Sequence, residues 1–240
     1  MLARLLRLAD VAFFPSFCRS CGLLLERPGE RLLCRDCLGR IVPHRAPRCP
    51  VCGRFFEGEG GGHPCGACLG HPPPFSLHRS AGRYGAVLKD AILLLKYRGG
   101  RPLARDLAAF AWEALRREDG LWEKAEVLVP VPLHRRRLRE RGFNQSALLA
   151  RAIGRAAGIP VETRALKKVR PTPAQTSLEH GQRRTNVRGA FAVARPERVR
   201  GRVVVVIDDV FTTGATLREC AAELRKAGAG EVRAATVAQA

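Results

Sequence analysis

Apolar and polar positions change rhythm along the chain. From Leu2 to Phe14 apolar residues recur at helical spacing, and Arg7 and Asp10 interrupt any secretory core, so an amphipathic helix docked on the body is predicted, with membrane-surface contact as the alternative. Between Ser16 and Gly70 neither periodicity survives, and cysteine and glycine take over. From Leu77 onward a period of about two alternates with one of about 3.6. Strands are expected at Leu77–Tyr84, Glu126–Val131, Val161–Leu166, Ala190–Ala194, Val203–Ile207 and Glu231–Val237. Helices are expected within Gly85–Tyr97, where Val87, Leu88, Ala91, Ile92 and Leu95 share a face, and at Pro102–Arg117, Asn144–Ala157 and Ala215–Ala227. Strands alternating with helices, two of them apolar without polar alternation, predict an α/β fold: a parallel sheet with helices on both faces.

The same rhythm divides the chain into an N-terminal helix (1–15), a Cys-rich module (16–70), a stiff connector HPPPFS (71–76) and the α/β body (77–240). A length of 240 residues suits one full core plus a small accessory module. The apolar runs Ala91–Leu95 and Val203–Ile207 are too short to cross a bilayer, so no membrane span is expected and the chain reads as soluble.

Eight of the nine cysteines form four CxxC pairs: Cys18/Cys21, Cys34/Cys37, Cys49/Cys52 and Cys65/Cys68. Each pair can aim two thiolates at one ion, and two pairs complete a tetrahedral shell. Twelve residues separate the first pair from the second and the third from the fourth, so the module reads as a tandem repeat with two structural zinc ions. Interleaved ligation, the first pair sharing its ion with the third, has the same spacing. Disulfides would need an oxidising compartment, and nothing in the sequence exports the chain; a cytoplasmic location is expected. Glycine-rich turns leave little apolar core, so metal supplies most of the module's folding energy. His63 and His71 flank the last pair as surface residues, and Cys220, on a helical face, reads as a buried structural thiol.

Charge points to an anionic partner. The formal net charge is +20, and only six of the 42 basic residues are lysine, so arginine forks suited to phosphate dominate. Within VVVVIDDVFTTGATL, an apolar strand ends on Asp208 and Asp209, which must raise each other's cost of ionising. In open parallel sheets a ligand sits beyond the carboxyl ends of the strands, and Thr212, Thr213, Gly214 and Thr216 lead into a helix N-terminus suited to phosphate. A carboxylate can accept from vicinal ribose hydroxyls. Consecutive strand residues face opposite ways, so the chain is expected to leave extended geometry at Asp208 if both acids reach one sugar.

IDDVFTTGAT is similar to the phosphoribosyl pyrophosphate (PRPP) motif of type I phosphoribosyltransferases. With the Cys-rich module, VPVPLHRRRLRERGFNQ and TPAQTSLEHGQRRTNVRGAF, nearly the whole chain resembles the ComF family, double zinc ribbon proteins associated with DNA uptake in natural transformation. The resemblance implies a type I phosphoribosyltransferase-like sheet and PRPP binding through Asp208, Asp209, Val210, Phe211, Thr212, Thr213, Gly214, Ala215 and Thr216. The two acids would take the ribose hydroxyls, the Thr/Gly/Ala segment would take the 5-phosphate, and magnesium would be held mainly by pyrophosphate oxygens and water. The loop Pro132–Arg141 matches the family's pyrophosphate loop through Arg135, Arg136, Arg137 and Arg141, with Arg139 beside them; a solvated surface or a nucleic-acid contact fits the same charges. Lys167–Arg188, with Thr172, Gln175, Arg183, Arg184 and Asn186, corresponds by position to the family's flexible loop, or is an ordinary exposed loop.

Three functions stay open: a magnesium-dependent phosphoribosyltransferase of unknown acceptor, a PRPP or nucleotide sensor whose ribbons and arginines hold single-stranded DNA, and a scaffold docking DNA-uptake proteins. An aromatic content of 6% weighs mildly against a dedicated single-strand groove.

Overall fold

The computed structural model describes residues 16–25, 32–43, 47–57, 60–97, 100–172 and 187–240. The helix expected over Leu2–Phe14 lies outside them.

The Cys-rich module is a structural repeat. Single-turn helices α1 (Arg35–Gly39) and α2 (Gly66–Gly70) each begin directly after a cysteine, Cys34 and Cys65. The antiparallel bridges Phe17↔Leu24 and Arg48↔Phe55 flank the first knuckle of each copy at equivalent positions.

The body follows as β1 (Leu77–Arg83), α3 (Ala86–Leu95), α4 (Leu103–Leu115), β2 (Val127–Pro130), α5 (Arg135–Arg141), α6 (Gln145–Ala157), β3 (Leu166–Lys168), β4 (Phe191–Val193), β5 (Val203–Phe211), α7 (Ala215–Lys226) and β6 (Glu231–Gln239). The sheet order is β1-β6-β5-β2 with every pairing parallel, while β3 and β4 form a separate antiparallel pair. Alternation along the strands sorts the two faces. Leu128, Val205, Ile207, Ala235 and Val237 pack with α3, α4 and α6, whereas Val127, Val129, Val204, Val206 and Val232 pack with α7, β3 and β4. Because β5 is covered on both faces, its apolar run needs no alternation, and each buried Val or Ile gains roughly 1.5–3 kcal/mol of transfer free energy.

The helices are set by readable local chemistry. Asn144 caps α6, its Oδ1 accepting from the amides of Ser146 (3.0 Å) and Ala147 (3.4 Å), and left-handed Gly158 ends it. Gly154 within α6 allows a close crossing, since a Cβ there would lie 2.6 Å from Val161 Cγ2. Along α4, Leu103, Leu107, Ala111 and Leu115 all face inward.

The two ribbons flank the β1 edge. Cys18, Leu25, Leu33, Cys37 and Ile41 share the core of α3 and α4, whereas Cys49, Cys52, Cys65 and Cys68 share the core of α7. Pro43 bridges Gly82, and the His78 amide donates to Val51 O at 2.8 Å, so backbone groups of the exposed edge are met. Phe75 of the connector is buried, and Ser76 donates its amide to Val232 O at 2.8 Å.

Three elements depart from the pattern reading. The arginine-laden segment after β2 is helical from Arg135, with His134 Nδ1 accepting from the Arg136 amide and Gly142 closing the end in the left-handed region. The strand expected at Val161–Leu166 is one bridge at Val161; a turn in which Glu162 accepts from the Arg164 amide (2.9 Å) breaks the run, and pairing resumes at Leu166. Finally, β5 does not stop at Ile207. Its ladder with β6 continues through Asp208↔Thr236, Val210↔Ala238 and Phe211↔Gln239.

Candidate functional site

That continuation overturns the expected break at Asp208. The backbone stays extended because β6 runs alongside it, and the two acids diverge as consecutive strand residues must. Asp208 Oδ1 accepts from Ser146 Oγ at 2.7 Å, at the start of α6, and from the Asp209 amide at 2.9 Å. Asp209 Oδ2 lies 3.0 Å from Lys96 Nζ, just after α3, in an ion pair whose angle leaves that buried oxygen without a well-aligned hydrogen-bond donor. Both acids are buried, at 8% and 5% exposure. Burial, reinforced by the charge of Asp209, pushes the Asp208 carboxyl up to about 7 against the pull of Ser146 and the Asp209 amide. Burial thus disfavours the charged form of Asp208.

Beyond the acids the chain turns through Thr212 and Thr213 into α7. Its N-cap, Gly214, is left-handed at φ 74° and contributes no side-chain cap. A Cβ there would lie 2.7 Å from Phe211 Cζ, so glycine is required by both torsion and contact. Thr213 Oγ1 accepts weakly from the Ala215 amide at 3.4 Å, and Ala215 is buried.

The arginines of α5 separate into two kinds. Arg135, Arg136, Arg137 and Arg139 are exposed, with Arg136 and Arg137 sharing Glu140 at 3.0 and 3.5 Å. Arg141 turns inward instead, bonded through its guanidinium to Gln145 Oε1. Burial lowers its pKa, and the nearby carboxylates of Asp209 and Asp208 oppose that shift. Among the arginines expected in the pyrophosphate loop, Arg141 is half-buried and feels the charges of the acid pair. Beside α5 runs a groove of about 560 Å³ lined by His134, Arg135, Leu138, Arg164, Lys167 and Lys168. Lys168 Nζ donates to Thr172 Oγ1 at 2.6 Å and lies 5.4 Å from the centre of the Phe191 ring, and burial lowers its pKa. Gln175, Arg183, Arg184 and Asn186 lie outside the described residues.

The cysteines resolve into two sites without interleaving: Cys18, Cys21, Cys34 and Cys37, then Cys49, Cys52, Cys65 and Cys68, the Sγ atoms of each set within 4.8 Å of one another. Neighbouring sulfurs stand 3.6 to 3.7 Å apart. A zinc–sulfur bond of about 2.3 Å gives a tetrahedron with edges of about 3.8 Å, so both quartets fit zinc. Backbone amides already point at the sulfurs, Cys34 to Cys18 Sγ at 3.3 Å and Cys65 to Cys49 Sγ at 3.4 Å. Against the effect of burial, such amide contacts hold Cys18 down at about 6 and Cys49 at about 7, while burial and the neighbouring sulfurs push Cys52 and Cys68 up, so the first cysteine of each quartet gives up its proton most readily. His63 is exposed and stacks on Phe56, and Cys220 is buried in α7 with its thiol pushed up by burial.

Sequence reasoning missed four partners. Ser146 and Lys96 hold the acids, Lys168 bonds Thr172, and His78 is buried behind Phe211. Ser146, Lys96 and His78 lie far along the chain from the residues they meet, whereas Lys168 is four positions from Thr172. Only Ser146 carried a signal, since it follows the helix-capping Asn144.

No helix among the described residues is long and apolar enough to cross a membrane. The family model for the phosphoribosyl transferase domain matches residues 143–240, and that for the double zinc ribbon domain matches residues 9–69. The chain is 34% identical to the DNA utilization protein YhgH of Salmonella typhimurium, over 84% of this chain and 87% of the relative. It is 32% identical to competence protein F of Haemophilus influenzae, over 84% and 87% respectively. Competence protein ComFC of Bacillus subtilis is 29% identical, over 86% and 83%. Among solved structures, glutamine PRPP amidotransferase from B. subtilis aligns at 25% identity over 63% of this chain and 26% of that one, with a TM-score of 0.35. With a paired zinc ribbon ahead of a type I phosphoribosyltransferase-like sheet, and with relatives at 34% and 32% identity matched over 87% of their length, the chain belongs to the ComF family of competence and DNA utilization proteins.

Proposed function

We propose that this chain binds PRPP together with magnesium, and that it serves DNA uptake or nucleotide metabolism in the cytoplasm as a phosphoribosyltransferase whose acceptor is still to be found. The observation that carries the reading is the pair of buried carboxylates in the C-terminal half of β5, five and six positions ahead of the left-handed glycine that opens α7. Asp208 and Asp209 leave extended β5 on opposite sides, so one carboxylate accepts from the ribose hydroxyls while the other stands across the strand from it. Thr212, Thr213, Gly214, Ala215 and Thr216 lie where helix amides and hydroxyls favour the 5-phosphate.

The polarity of the site fits the chemistry of glycosyl transfer. As the bond from ribose C1 to pyrophosphate loosens, positive charge grows on the sugar and negative charge on the leaving group. A carboxylate beside the sugar, with the charge of Arg141 near it, matches that separation. The two acids diverge and form no cage, which suits magnesium carried in by pyrophosphate oxygens and water. The Cys quartets are structural and suit a compartment that keeps thiols reduced.

Calorimetric titration of PRPP with magnesium is the test. Wild type should bind and the protein carrying both Asp208→Asn and Asp209→Asn should not; equal binding by the two removes the assigned site. Screening bases and nucleic acids for pyrophosphate release then separates an enzyme from a sensor. A second reading, single-stranded DNA along the ribbons and α5, is favoured by the four arginines that α5 turns to solvent rather than to the acids. Such binding should weaken steeply with salt, and affinity indifferent to salt would exclude it.

A further inference from the structure

His78 lies in β1, outside every motif assigned so far, and is completely buried. Its Nδ1 stands 2.7 Å from Cys52 O, a carbonyl that can only accept, so Nδ1 carries the proton and donates. Its Nε2 must then accept from Thr236 Oγ1 at 3.0 Å, and Thr236 accepts in turn from Ser80 Oγ at 2.6 Å. The hydrogen-bond chain has one direction, ending on the backbone of a second-ribbon cysteine. The other side of the ring is equally committed: it stacks on Phe211 with centroids 4.2 Å apart and planes 18° from parallel. Phe211 is the ring against which Gly214 is fitted.

The knuckle is fixed to this residue by more than one bond. The His78 amide donates to Val51 O, and Arg79 donates to Pro50 O at 2.9 Å. A Cβ on left-handed Gly53 would lie 2.6 Å from His78 O. Cys52 thus offers its sulfur to the metal quartet and its carbonyl to His78, with one ring between that carbonyl and Phe211.

We propose that His78 is a positioning residue that couples the second ribbon to the phosphate loop, so that zinc at Cys49, Cys52, Cys65 and Cys68 and a sugar phosphate at Gly214–Thr216 stabilise each other. The inference rests on the PRPP reading for its ligand, but its route through Cys52, His78, Phe211 and Gly214 is independent of which sugar phosphate binds. Linkage is reciprocal in affinity: if metal steadies the loop, ligand must tighten metal at the second quartet, which shows as slower release when metal association is unchanged. The first quartet, on the opposite face of the sheet, is an internal control.

Full-length zinc-loaded protein is challenged with a chromogenic chelator, with and without PRPP and magnesium, and the two phases of zinc release are assigned by mass spectrometry of the newly alkylated cysteines. Wild type should lose second-quartet zinc about fivefold or more slowly with PRPP, at the lower end of ordinary allosteric coupling, and first-quartet zinc at an unchanged rate. His78→Phe keeps a ring for Phe211 but loses the bond to Cys52; His78→Asn keeps a donor near Nδ1 but loses the ring. Both should abolish PRPP protection of the second quartet, and both should raise hydrogen exchange at 212–216 in protein without ligand. Wild type that binds PRPP but releases both zincs at unchanged rates refutes the coupling and leaves the PRPP site standing. Wild type that fails to bind PRPP refutes the functional reading, and the exchange measurement then decides the coupling alone: no rise at 212–216 in either variant overturns it.

Discussion

Replacing Asp208 with asparagine should stabilise the free protein at alkaline pH while abolishing ligand binding. The carboxyl rises from an ordinary 3.8 to about 7 because it is buried beside Asp209. A raised acid in the folded state binds its proton more tightly than the unfolded chain does, so its contribution is fully present below pH 3.8 and is lost as pH climbs through about 7. The rise spans about three pH units, and at about 1.4 kcal/mol each the ceiling on the loss is about 4 kcal/mol. Asparagine keeps Oδ1 to accept from Ser146 and the Asp209 amide but carries no charge to bury. Melting curves from pH 5 to 8.5 at fixed ionic strength should show wild type falling and Asp208→Asn nearly flat. The gap at pH 8 should approach 10 °C, taking roughly 2–4 °C per kcal/mol for a chain of this size. Ligand binding reads the same proton: if ribose hydroxyls need the carboxylate, wild type should release about half a proton per PRPP at pH 7 and almost none at pH 8.5, as calorimetry in buffers of different ionisation enthalpy would report. A variant less stable than wild type at pH 8, or a gap independent of pH, would refute the raised carboxyl.

Gly214→Ala places a Cβ 2.7 Å from Phe211 Cζ at φ 74°; left-handed strain and ring displacement together should cost about 2–4 kcal/mol in denaturant unfolding and remove PRPP binding. Arg141→Gln should weaken PRPP at least tenfold, about 1.4 kcal/mol, in the titration in which Arg136→Gln changes nothing. Conversely, if DNA follows α5, Arg136→Gln should lower the salt dependence of DNA affinity by about 0.7–0.9 in log–log slope while Arg141→Gln leaves it unchanged. Metal analysis should return two zinc ions per chain, one for each quartet, and chelation should unfold the ribbons before the sheet, seen as lost exchange protection at 16–70 ahead of β5.

The parts legible in the sequence were those whose physics is local. CxxC spacing depends on one turn of chain, and it carried both the metal and the repeat, which the structure shows down to matching bridges at Phe17 and Arg48. The pairing of knuckles was not legible, since interleaved and sequential ligation share one spacing and only the placement of the two ribbons on opposite faces of the sheet distinguishes them. The α5 segment read as a loop because no apolar stripe marks it. It is helical through a His134 cap, a Gly142 terminus and an Arg136–Glu140 pair, and it buries no residue. Val161–Leu166 failed for the opposite reason: suitable residues, broken by a turn that depends on the side chain of Glu162.

The acid pair shows why a site can be visible while its working parts are not. Two adjacent carboxylates announce themselves in any sequence, and the natural inference is a bend that brings them to one side. The sheet decides otherwise: β6 continues to Gln239, so β5 stays extended and the acids separate. Separation determines their chemistry. Asp208 meets a hydroxyl, which eases but does not cancel the cost of its burial. Asp209 meets the ammonium of Lys96. Two identical side chains one residue apart thus meet different partners, Ser146 at the start of α6 and Lys96 just after α3. Lys96 and Ser146 lie 113 and 62 positions from their acids, so only the completed sheet, with α3 and α6 layered on it, assembles the site.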